Sequence, residues 1–142
     1  MMQQKLIFLP LLFQVLLTVL VWLMMYKTRI TEIKTKKINP QLLNTTHNSA
    51  KLLKAVSGPS ENFTNLFEVP SLFYIAIITI YITQLTDTLL LTLCSLFVFL
   101  RYLHSFIHST YNNVMHRFYA YISSTIILWI TWAFISIKLF SH

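Results

Sequence analysis

The chain alternates apolar runs with polar interruptions, and the longest runs exceed what the core of a soluble domain needs. Leu6 to Tyr26, Thr88 to Leu100 and Phe118 to Ile137 contain no charged residue. About twenty such residues cross the roughly 30 Å hydrocarbon layer of a bilayer as a helix. The pattern predicts four spans, 6–26, 62–84, 88–110 and 117–138, with a polar, basic connector over 27–61. The expected fold is therefore all-α, an integral membrane four-helix bundle forming one domain over residues 1–142. Span one competes with a secretory signal, but it is too long for one, lacks a small-x-small cleavage site and stops on Lys27 and Arg29 as a stop-transfer helix does. Pro10 falls in its first turns, where a membrane helix tolerates it.

Polar punctuation marks the element ends. Lys27 to Lys37 has helical composition and extends span one until Asn39-Pro40 interrupts it. Ser57-Gly58-Pro59-Ser60 predicts a turn, with Ser60 or Glu61 opening the next helix. Thr86-Asp87-Thr88 is a tight turn with Asp87 as a cap, and Tyr111 to His116 turns the chain again. Short connections make neighbouring helices antiparallel. The residues between Asp87 and Arg101 are too few to cross alone, so span three continues through Arg101 and puts a polar stripe in its last turns. At 100° per residue Arg101, His104, Ser105, His108 and Asn112 fall within roughly 80° of one another. Ionisable groups at such depth cost a few kcal/mol each and need protein or water to face. A bundle this small encloses little, so neighbouring subunits are expected to shield the stripe.

Composition strengthens the membrane reading: 56% hydrophobic, 11% charged, one glycine. One glycine also excludes a phosphate-cradling loop, and Cys94, alone inside an apolar run, excludes a disulfide framework. The net charge of +7 does not indicate nucleic acid, because seven of the eleven Lys and Arg crowd between Lys27 and Lys54. Such a cluster keeps its connector on the cytoplasmic side, beside anionic head groups. Both termini and the Asp87 turn then lie outside, and the Asn112 turn inside. A cytoplasmic connector also discounts the glycosylation acceptor pattern Asn44-Thr45-Thr46. Lys138 is expected to snorkel out of the membrane. Trp129, Trp132, Tyr119 and Tyr121 suit either an interfacial belt or helix packing.

This topology brings Asn65 and Glu68 from span two, Arg101, His104 and His108 from span three, and Arg117 and Tyr121 from span four to one inner edge. At 1.5 Å per residue Glu68 and Arg101 lie at comparable depth, about 10 Å inside their helix ends. Three arrangements suit these residues. Glu68 and Arg101 can form a buried ion pair that only holds the bundle together. His104 and His108, at i and i+4, can share a metal ion, although two ligands are not a site and only four acids exist in the chain. The whole set can form a pocket for an anion that also carries an amine.

Asn65-x-x-Glu68-x-Pro70-x-x-Phe73, Arg101-x-x-His104 and Arg117-x-x-x-Tyr121, with the four-span layout, resemble the MAPEG family, the membrane-associated proteins in eicosanoid and glutathione metabolism. The resemblance covers about Asn65 to Tyr121 and implies a homotrimer with glutathione sites between subunits near the cytosolic face. It implies that Asn65 and Glu68 hold the glutamyl end of glutathione, that Arg101 and His104 contact its polar groups, with His108 and Tyr121 completing the site, and that Arg117 lies by the sulfur. The implied activity is a glutathione-dependent transferase or peroxidase acting on lipophilic electrophiles, with no metal. Thr64 stands where enzymatic members commonly have Arg, His108 where they have Tyr, and Phe118 where some have Ser. These departures resemble a bacterial-type branch and imply a bacterial inner membrane. A non-catalytic binder of a small anion or lipid, and a structural membrane protein, remain the alternatives.

Overall fold

The apolar runs fold as expected into helices, and the computed structural model describes residues 2–141. A one-turn helix α1 (Met2–Lys5) leads into α2 (Phe8–Thr35), which is span one and its extension in one piece. The connector holds α3 (Thr46–Leu52) between two 3₁₀ turns, Pro40–Leu43 and Lys54–Val56. Span two is divided into α4 (Ser57–Asn65) and α5 (Val69–Ile82); α6 (Thr88–Ser109) and α7 (Val114–Phe140) complete the chain. Four helical segments are long and apolar enough to cross a membrane, and no strand occurs among the described residues.

Most element ends follow the polar punctuation. Asp87 caps α6, its carboxylate accepting from Leu90 N–H (2.8 Å). Asn112 adopts φ 46, and Asn113 then caps α7 by accepting from the N–H groups of Met115 (3.0 Å) and His116 (3.2 Å). Helix α2 stops at Thr35, ahead of Asn39-Pro40, with Lys37 in the left-handed region at φ 49. Ser57-Gly58-Pro59-Ser60 departs from expectation: it is the first turn of α4 and not a loop. Proline is tolerated there because the N–H it lacks has no intrahelical acceptor in a first turn.

Span two is not the continuous helix expected. Pro70 has no N–H for the carbonyl of Leu66, and its ring crowds that carbonyl, so the helix cannot run through. Leu66 and Phe67 instead close i−3 bonds to Phe63 (3.1 Å) and Thr64 (2.9 Å), and α5 restarts at Val69. In an unbroken helix the carbonyl of Asn65 would receive the N–H of Val69; the break leaves it free for another donor.

The core is apolar and lies among α5, α6 and α7. Phe73, Ile77, Leu90, Cys94, Phe97 and Leu128 are fully buried, and Phe73 stacks on Phe97 with centroids 4.6 Å apart. Helix α2 joins through Leu17 and Val21, which pack with Leu66 near the break. Leu12, Phe99, Ile126 and Trp129 point outward, as a lipid-facing surface requires. Among the four aromatic residues left open by sequence, Trp129 and Tyr119 lie on the outside, while Trp132 packs against the core and Tyr121 is half-buried.

Polar contacts tie the two ends. At one end Gln4 Nε2 donates to the carbonyl of Tyr81 (2.8 Å), and Lys138 pairs with Asp87. Asp87 lies in the turn at the same end of the bundle, so the Lys138 ammonium meets a carboxylate at the polar edge. At the other end Glu32, buried among the basic residues, accepts from Lys36 and from the N–H of Ala55 (3.0 Å), while Lys36 donates to the carbonyl of Leu52 (3.1 Å). This clamp folds the connector back against α2.

Candidate functional site

The helix break and the turn before α7 lie together at the connector end of the bundle. Between them a cleft of 760 Å³ opens, walled by the connector on one side and by α4 and the start of α7 on the other. Asn65, Glu68 and Arg117 line it, joined by Glu61, Thr64 and Arg29. Two carboxylates and two guanidinium groups therefore share one open cleft, beside neutral polar side chains such as Thr45, Thr46 and Ser49. Glu68 is exposed, and its carboxylate takes part in no ion pair among the described residues; only its carbonyl is engaged, by Ser71 Oγ (2.6 Å).

The polar stripe of α6 stands behind this cleft, inside the single chain. Arg101, His104, Ser105 and His108 are each at most 4% exposed. The shielding expected from neighbouring subunits is thus supplied by α4 and α7. Arg101 is fully buried and its Nη2 donates to the free carbonyl of Asn65 (2.6 Å). A cation thereby completes the C-terminal end of α4, where the helix dipole favours it. The guanidinium carbon lies 5.1 Å from the Tyr121 ring and 5.8 Å from that of Phe97, within cation–π range. Its Nε and Nη1 have no hydrogen-bond partner among the described residues. The buried Glu68–Arg101 ion pair is therefore not how the bundle is held: the partner of Arg101 is backbone.

The two histidines of α6 both engage Arg117. His104 Nδ1–H donates to the Arg117 carbonyl (3.0 Å), and Arg117 Nη1 donates to Nε2 of His108 (2.8 Å) and to Oδ1 of Asn112 (3.1 Å). The carboxylate of Glu61 stands 3.8 Å from the same Nη1 and 3.9 Å from His108 Nε2. The rings of His104 and His108 meet edge-on at 5.8 Å, and Tyr121 lies 5.7 Å from His104. No group of three or more metal-ligating side chains occurs among the described residues.

Of the seven residues that sequence singled out, three line the cleft (Asn65, Glu68 and Arg117) and four stand behind it (Arg101, His104, His108 and Tyr121). Sequence reading missed Asn62, which is fully buried and links α4 to α6: its Oδ1 accepts from Ser105 Oγ (3.0 Å) and its Nδ2 donates to Ser109 Oγ (3.3 Å). The signal was available, since Asn62 lies four residues before the buried Leu66 on the same helical face. Arg29 was missed because it belongs to a basic cluster whose other members are explained by membrane topology. Glu32 had a signal too, as the one acid among those cations.

No curated protein and no solved structure matches the chain. The family model that does match, described as the MAPEG family, covers residues 7–137, from the start of span one to the end of span four. That range takes in the broken second span, the α6 stripe and Arg117. With four membrane-competent helices and nearly its whole length matched, this integral membrane protein belongs to the MAPEG family.

Proposed function

We propose that the chain is a glutathione-dependent transferase or peroxidase that acts on lipophilic electrophiles at the inner face of a bacterial membrane, as a homotrimer. The observation that carries this reading is the cleft itself, where the acids Glu61 and Glu68 face a guanidinium, Arg117, with Asn65 beside them. Glutathione carries an ammonium, two carboxylates and a thiol, and the cleft offers a complement to the ammonium, to one carboxylate and to the thiol. Glu68 receives the ammonium, and the Asn65 amide donates to the neighbouring carboxylate. Arg117 lies by the sulfur. A cation there favours thiolate over thiol, and the thiolate is the form that attacks an electrophile.

In conjugation the thiolate forms a carbon–sulfur bond while the electrophile's leaving group departs or its strained ring opens; in peroxide reduction two thiols become a disulfide as the O–O bond breaks. Neither reaction asks the protein for a covalent intermediate, so its work is to bind, orient and hold charge. Arg101, His104, His108 and Tyr121 act here by holding the helix break and Arg117 in place. Membrane location suits a lipophilic second substrate, which reaches the cleft from the bilayer.

Titrating the purified protein with glutathione tests the reading directly. The expected result is saturable growth of thiolate absorbance in the ultraviolet, together with turnover of a lipophilic electrophile or hydroperoxide. Absence of both in a folded sample overturns it in favour of a non-catalytic membrane protein.

A further inference from the structure

Arg117 is the one cation of the α7 entrance, and nearly everything around it is arranged on its guanidinium or its carbonyl. A guanidinium has five N–H donors and no acceptor. The 2.8 Å contact between Arg117 Nη1 and His108 Nε2 therefore requires a lone pair on Nε2, so the imidazole is neutral with its proton on Nδ1. Asn112 contributes a second acceptor to the same nitrogen at 3.1 Å. His104 fixes the backbone of the same residue through the Arg117 carbonyl. Glu61 faces the pair at 3.8 and 3.9 Å, too far for a direct bond but close enough to balance the charge. The His108 side chain is 1% exposed whereas that of Arg117 is 23% exposed, so the histidine is behind the guanidinium and outside the cleft.

We infer that His108 is a positioning residue for Arg117: it fixes the guanidinium on the cleft wall from behind and does not touch the ligand. An arginine side chain has four rotatable bonds, and a charge placed beside a reacting atom is effective only if it is already in place. A hydrogen-bond acceptor at position 108 supplies that order, and a phenyl ring of similar bulk does not. The consequence for turnover rests on the thiol-transferase reading above, whereas the restraint on Arg117 is independent of it.

The experiment compares His108→Phe, His108→Gln and Asn112→Ala with the wild-type protein in detergent. Phenylglyoxal labels accessible guanidinium groups, and mass spectrometry of the digest reads Arg117 against Arg29 as an internal reference. His108→Phe is expected to raise relative labelling of Arg117 roughly tenfold, the factor given by about 1.4 kcal/mol. His108→Gln, whose amide oxygen restores an acceptor, should return labelling toward wild type, and Asn112→Ala should raise it by a smaller factor. In turnover, His108→Phe should lower kcat with KM for glutathione little changed, because the ligand's own contacts survive. Unchanged labelling in folded His108→Phe overturns the inference, and so does failure of His108→Gln to differ from His108→Phe. If His108→Phe does not fold, the Gln and Ala variants decide alone: labelling at the wild-type level in Asn112→Ala together with a loss in His108→Gln of glutathione affinity counts against it. If labelling behaves as expected and wild type turns over no thiol, the restraint stands and the transferase reading falls.

Discussion

Replacing Glu68 by Gln separates a ligand contact from a structural one. The substitution removes a charge from an exposed carboxylate that forms no ion pair within the described residues, and it leaves the carbonyl that Ser71 uses. Nothing buried loses a partner. A surface change of this kind shifts stability by no more than about 0.5 kcal/mol, which for a chain of this size moves the melting temperature by about 2 °C or less. If Glu68 instead holds the glutathione ammonium, the lost charge-assisted hydrogen bond is worth about 1.5–3 kcal/mol. The carboxylate is open to solvent, so screening puts the expected loss at the lower end, roughly tenfold in Kd for glutathione. Thermal melting in detergent and isothermal titration with glutathione measure the two quantities on the same sample. A melting loss equivalent to 2 kcal/mol or more would restore the bundle-anchor role for Glu68. An unchanged Kd would remove it from the binding site.

The other expectations spread over the molecule. Arg117→Leu should lower kcat/KM by roughly 30–150-fold, the loss of about 2–3 kcal/mol of thiolate stabilisation, while thiolate absorbance at saturating glutathione diminishes in parallel. Asp87→Ala removes both the cap of α6 and the partner of Lys138 at the far end; it should destabilise by about 1–2 kcal/mol and leave glutathione affinity untouched, as melting and titration would show. Asn62→Ala leaves the buried Ser105 hydroxyl without its acceptor and removes one of the links between α4 and α6; a loss of about 2–3 kcal/mol is expected, and a melting temperature equal to wild type would contradict it.

The apolar runs, read together with the turn residues between them, determined the four spans, because a membrane helix must satisfy its own backbone and therefore needs some twenty residues whatever surrounds it. Local chemistry determined the caps for the same reason: Asp87 and Asn113 bond to N–H groups two or three residues away, and nothing distant has to cooperate. The α6 stripe was legible as well, since period and polarity state that Arg101, His104 and His108 share a face. What that face meets was decided only by tertiary structure. Charge made Glu68 one candidate partner of Arg101, but the break at Pro70 released a carbonyl at Asn65, and the guanidinium took it at 2.6 Å. Pro70 was visible in sequence, yet whether it opens a helix or divides one depends on whether the chain before it packs as helix, and α4 does so because Asn62 and Leu66 are buried against its neighbours. The contacts of the histidines with Arg117 were likewise set by tertiary structure, because α6 and α7 pack closely enough to bring a side chain of one to the backbone and guanidinium of the other. Helix rotation and crossing select among partners that sequence leaves equivalent, and those depend on the fit of whole faces, which no local window contains.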